Sequence, residues 1–254
     1  MRHVLVAVLV LVMIQLGFWQ LRRLDEKQAY NARVEARQEQ AVAPVEEIVP
    51  LDAEVDSDAV DEALYRTVTA TGTYAADDTV VVENRSFNGV SGAWVLTPLR
   101  LDDGTAVLVN RGFIGFDREG DIAPPDPPAG EVTVEGLVQP SQERGRFGAT
   151  DPEEGRLTVM ARVDLARFAA QVDYPVLPAY VQRTSSDPEE AAAGEGEPAL
   201  VALGPPELTE GSHLSYAVQW FIFTTIALVG YPLLLRKVAQ DEARAERQAA
   251  TSAA

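Results

Sequence analysis

The chain carries two histidines, His3 and His213, and no cysteine. Without cysteine there is no disulfide, thiolate metal site, iron–sulfur cluster or cysteine nucleophile. Both histidines flank apolar runs, so the region between them offers neither a serine–histidine triad nor a histidine–zinc site. Carboxylate-only hydrolysis is the enzymatic class left, but among 39 acidic residues any one pair reads as a solvated pair. Gly145-Arg146-Phe147-Gly148 has glycines without the strand-to-helix context of a phosphate-binding or dinucleotide motif. The remaining chemistry sits at the apolar ends. Residues three and four apart share a helix face. That puts His213, Tyr216, Ala217, Trp220 and Thr224 on one stripe, and Gln15, Trp19 and Arg22 on another with Arg23 adjacent. An imidazole, aromatic rings and two guanidinium groups at one depth can ligate a metal, cover a flat apolar ring and pair with carboxylates. The same residue types are the usual anchors at a membrane interface.

Two uncharged runs must hold these stripes. The first covers 18 residues (4–21) and the second 22 (214–235), each long enough for a transmembrane helix. The first run ends in Phe18-Trp19-Gln20-Leu21-Arg22-Arg23, without the small-residue cleavage site of a signal peptide, so an uncleaved anchor is expected. Arg236, Lys237, Arg244 and Arg247 follow the second run, which predicts a cytoplasmic C-terminus. Two spans then return the N-terminus to the cytoplasm and leave the middle outside. Arg22, Arg23 and Lys27 run against that rule, but long segments translocate largely regardless of charge. The formal charge of −18 excludes nucleic acid as a partner, since phosphate binding needs a basic face.

Between the runs, residues 22–43 are rich in helix formers and predict a helical stalk. Residues 44–64 carry a dense acidic run and read as a solvated linker that has room for a short helix. From Tyr65 the apolar period changes to two. Strands are expected at 65–74, 79–85, 93–101, 105–113, 131–138, 156–162 and 178–184, with one short helix at 164–171 that starts near Asp164. Asp103-Gly104 marks a hairpin. The expected fold is a membrane protein of α+β class: two transmembrane helices flank a mainly antiparallel extracytoplasmic β domain at 65–184, a small barrel or sheet. Ala123–Gly130, with four prolines, reads as a surface loop. Residues 185–213 read as a disordered acidic linker, and 236–254 as a short cytoplasmic tail.

Several stretches, in order, resemble the surfeit locus protein 1 family, assembly factors for cytochrome c oxidase. They are Leu16-Gly17-Phe18-Trp19-Gln20-Leu21-Arg22-Arg23-Leu24; Asn84-Arg85 with Gly89, Gly92 and Trp94-Val95-Leu96-Thr97-Pro98-Leu99; Val109-Asn110-Arg111-Gly112-Phe113; Val134-Glu135-Gly136; and His213-Leu214-Ser215-Tyr216-Ala217-Val218-Gln219-Trp220-Phe221. The resemblance implies a non-enzymatic role in haem a insertion into, or stabilisation of, the oxidase catalytic subunit. It also implies a multi-pass protein of the cell membrane, with the haem a synthesis machinery as a further partner. With haem a as cofactor, His213 is the candidate iron ligand, and Tyr216, Trp220, Trp19, Arg22 and Arg23 are the candidate haem contacts. Arg85 and Arg111 are the residues to watch for docking an acidic partner loop. The competing reading is an extracytoplasmic binding or scaffold protein for another membrane complex.

Overall fold

The computed structural model describes residues 2–116, 122–146, 148–191 and 199–252. It divides into two units, Met1–Arg33 with Leu208–Ala254, and Val34–Glu207.

The first helix, α1 (Arg2–Gln38), runs without a break through the apolar run and the predicted stalk. After it come β1 (Ala43–Pro44), α2 (Val45–Ile48) and α3 (Asp58–Ala63). These correct the reading of 44–64 as solvated linker. Val45, Val49, Val60 and Ala63 are buried in the same core as Val68, Val132 and Val134. The acids of this stretch alternate with those apolar residues and face outward, so composition alone hid the packing. Ser57 caps α3, its Oγ accepting from Val60 N at 3.4 Å.

The β elements fall within a few residues of the expected runs: β2 (Thr67–Tyr74), β3 (Val80–Phe87), β4 (Val90–Leu101), β5 (Ala106–Gly115), β6 (Glu131–Pro140), β7 (Val159–Met160) and β8 (Val176–Asp187). The short helix α4 (Leu165–Ala169) starts at Asp164, whose carboxylate accepts from Arg167 N at 2.9 Å. The sheet closes on itself, because β2 pairs with β6, β6 with β8, β8 with β5, β5 with β4, and β4 again with β2. Its 12 residues let β4 serve two partners: the first half pairs with β3 and Leu99–Leu101 pair with β2. The sheet is mixed rather than mainly antiparallel, since β1–β2, β3–β7 and β5–β8 run parallel. A hairpin forces antiparallel pairing, whereas a long crossover permits parallel. The chain passes through β6, β7 and α4 between β5 and β8, and β8 then lies parallel to β5 on one side and antiparallel to β6 on the other.

Closure depends on Gly72. A Cβ there would lie 2.0 Å from the carbonyl oxygen of Arg100 on β4. Gly72→Ala must therefore push the β2–β4 seam apart. We expect a loss of about 3 kcal/mol in unfolding free energy, against little change for the exposed neighbour Thr71→Ala. Thermal unfolding followed by near-ultraviolet circular dichroism checks this.

Residues 185–213 are not a disordered linker where the structure describes them. Ser185–Asp187 finish β8 against Thr133–Glu135, Val201 exchanges both backbone hydrogen bonds with Phe113, and Leu203 is buried. The last helix, α5 (His213–Ser252), passes through Pro232 and the basic residues after it, so the predicted tail is helical as far as Ser252. Helices α1 and α5 are both long and apolar enough to cross a membrane. Their exposed faces are dominated by leucine, valine, isoleucine and aromatic residues, which is consistent with membrane localisation.

Candidate functional site

Helices α1 and α5 meet along a seam of apolar side chains with a few small and polar ones. Gly17 leaves room there for the ring of Phe221, which a Cβ would meet at 2.8 Å and push aside. Phe18 packs edge-on to the same ring, with centroids 5.5 Å apart. Met13, Leu24, Ala217 and Thr224 are buried. Polar ties hold both ends of the pair. His3 Nδ1 meets Tyr231 Oη at 2.7 Å, and Gln28 donates to Glu210 Oε1 at 2.9 Å.

His213 opens α5, and its Nδ1 lies 2.8 Å from Gln20 Oε1. With the amide oxygen accepting, Nδ1 carries the proton and Nε2 keeps its lone pair. An imidazole oriented in this way through one nitrogen is suited to ligate iron through the other. Tyr216 is exposed and Trp220 half-buried, its ring edge-on to Phe223 at 6.1 Å. These two share the His213 face of α5.

The α1 residues divide. Gln20 and Gly17 face α5, as their contacts show. Arg22 follows Gln20 by about 200° around the helix and points to the far side. It lies with Val8, Leu11, Val12, Gln15, Leu16 and Trp19 along an exposed groove of α1. Arg23 is ion-paired to Glu26 at 2.6 Å, with both side chains exposed. The structure thus sets His213, Tyr216 and Trp220 on one face of α5, adds Gln20, and places neither Arg22 nor Trp19 with them.

The two barrel arginines have opposite fates. Arg111 is wholly buried and spent inside the domain. Its Nε and Nη2 donate to Glu190 Oε1 and Oε2 at 2.9 and 2.6 Å, its Nη1 to Pro125 O at 2.9 Å, and its Nη2 also to Asp126 O at 3.2 Å. Arg183, also buried, donates to the Arg111 carbonyl at 2.8 Å and lies 3.9 Å from Glu190. Burial pushes the Tyr74 hydroxyl up and Arg183 down from their ordinary values. Arg111 therefore pins the proline-rich loop and the segment after β8 onto the barrel and leaves nothing for a partner loop. Gly112, at φ 151°, makes room for that segment, since a Cβ would meet Val201 O at 2.4 Å. By contrast Arg85 stacks over Trp94 at 4.4 Å and donates to Gln142 Oε1 at 2.8 Å, with no carboxylate partner among the described residues. Burial lowers its proton affinity.

A family model described as the SURF1 family matches residues 7–225. The chain belongs to that family. Within it, a SURF1-like protein of Mycobacterium tuberculosis (strain ATCC 25618 / H37Rv) is 30% identical over 249 residues, 96% of this chain and 84% of the relative. A SURF1-like protein of Monosiga brevicollis is 29% identical over 241 residues, 87% of this chain and 83% of the relative. The cytochrome oxidase assembly protein SHY1 of Saccharomyces cerevisiae is 30% identical over 163 residues, 60% of this chain and 40% of the yeast protein.

The SURF1 match takes in the Gln20–His213 pair and the whole barrel. Sequence reasoning missed Gln20 and Glu190. Gln20 could have been found as a second uncharged polar residue, after Gln15, interrupting the first apolar run. Glu190 stands 79 residues from Arg111 in an acidic, apolar-poor stretch, and nothing local marks it.

Proposed function

We propose that this SURF1-family protein assists assembly of a haem-a-containing cytochrome c oxidase, acting in haem a insertion into, or stabilisation of, the catalytic subunit. Membership of the family, together with the assembly role named for the yeast relative SHY1, carries the reading. The proposed topology is two membrane spans with both termini cytoplasmic and the barrel outside, following the basic residues after α5.

The donor set at the helix seam fits haem. His213 Nε2 would take the iron, with Gln20 fixing the ring through Nδ1. Tyr216 and Trp220 would lie against the macrocycle, and Arg23 would border it from α1. Haem, when bound, would supply an iron that takes an imidazole nitrogen and two propionates that pair with guanidinium groups. The chain's own residues bind and orient it, and no proton transfer or bond cleavage is asked of them. Non-enzymatic partners follow: the oxidase catalytic subunit, and the machinery that makes haem a. Deleting the protein tests the reading, because the membranes should then lose haem a oxidase absorbance while keeping their b-type cytochromes.

A further inference from the structure

A glutamine side chain exposed to water satisfies its amide with water. In hydrocarbon it has no such partner, and polar side chains there act as contacts between helices. Gln15 is exposed on α1 within the uncharged run 4–21. It stands about 4 Å along the axis from the middle of that run, so a bilayer would hold it near mid-depth. The face toward α5 carries Met13, Gly17 and Leu24, which are buried, so α5 cannot cover Gln15. Val8, Gln15 and Arg22 repeat every seven residues along the groove, with Leu11 between the first two. Seven-residue spacing is the repeat of a seam that packs against a second helix, and one polar residue in such a seam selects the partner. Neither Gln15 nor Arg22 makes a hydrogen bond or ion pair with another described residue.

We infer that the Val8–Leu11–Gln15–Arg22 face of α1 docks a transmembrane helix of another protein, one with a hydrogen-bonding side chain opposite Gln15 and a carboxylate opposite Arg22. This rests on the reading that α1 spans the bilayer. A second copy of the chain does not fit. Parallel pairing through this face would set Arg22 against Arg22 at one level, where like charges repel. Trp19, beside Arg22, closes the seam at the interface.

Synthetic helices test the inference with the full chain in sealed vesicles. Because the protein has no cysteine, Glu242→Cys takes a single donor dye. One acceptor-labelled probe is an oligoleucine transmembrane peptide with asparagine at mid-depth and glutamate at the interface, and the control is the same peptide in leucine alone. Energy transfer should report about threefold to tenfold stronger association with the polar probe. Gln15→Leu or Arg22→Gln should bring it toward the control. Equal transfer to both peptides, or transfer unmoved by either substitution, overturns the inference. Stronger transfer between copies of the chain than to the probe overturns it in favour of self-association. A separate reading tests the span itself: Val12→Cys should resist a membrane-impermeant maleimide, and ready labelling would remove the bilayer premise and the inference with it.

Discussion

Glu190→Ala is expected to destabilise the β domain by about 3–5 kcal/mol, the range for removing one partner of a buried ion pair. The carboxylate is 7% exposed, and it accepts from a guanidinium with no exposed surface. Its loss leaves Arg111 and Arg183 buried with no carboxylate between them. The Pro125 and Asp126 carbonyls still accept from Arg111, but carbonyl dipoles do not neutralise two cations. Glu190→Gln keeps the shape and one acceptor, so an intermediate loss is expected. Replacing both Arg111 and Glu190 by methionine removes one of the two cations together with the carboxylate and should recover part of the stability, with Arg183 still buried beside the lost Glu190. Denaturant unfolding in detergent, followed through Trp94, measures all three. A Glu190→Ala variant within about 0.5 kcal/mol of the parent would show that the network is not holding the segment after β8.

The second large effect is at the helix seam. His213→Ala should abolish copurification of haem from cells that make haem a, while the protein stays inserted. No core residue depends on the ring, which touches Gln20 at its Nδ1. Gln20→Leu leaves the ligand in place but frees its orientation, and a loss of about 10- to 100-fold in haem affinity is expected for such an outer partner. Gln20 is thus a positioning residue, and its variant should also shift the haem absorbance bands, which a purely structural role would not do. Equal haem content and spectra for His213→Ala and the parent would reduce His213 to an interfacial anchor. Assembly would then have to run through protein contacts, with Arg85 on the barrel the next residue to change.

The contrast between these two regions shows what a sequence discloses. Strands β2 to β6 and β8 announced themselves through β-branched and aromatic runs between turn residues, although only β2 and β6 bury one face in alternation and β5 is buried on both. The sense of β8 was not legible, since periodicity is the same in parallel and antiparallel pairs. Val45, Val49, Val60 and Ala63 were masked by the acids between them, and composition averages over the alternation that matters. Arg111 was noticed for its charge, yet its burial came from Glu190, which only the folded chain brings near. At the helices the three-and-four rule grouped Gln15, Trp19 and Arg22, which line one groove of α1. It could not say which stripe of α1 faces α5, because that depends on Gly17 admitting Phe221. Arg22 consequently moved from the expected haem contacts to the outer groove, and Gln20 took the place beside His213.

The assembly role is tested most directly by a difference spectrum. Membranes from cells lacking the protein, compared with membranes from cells that carry it, should show a severalfold loss of the haem a band in reduced-minus-oxidised spectra, with b-type haem unchanged. Reintroducing the parent chain should restore the band, and His213→Ala should restore it only in part. An undiminished haem a band with normal oxidase turnover in the deletion strain would contradict the account.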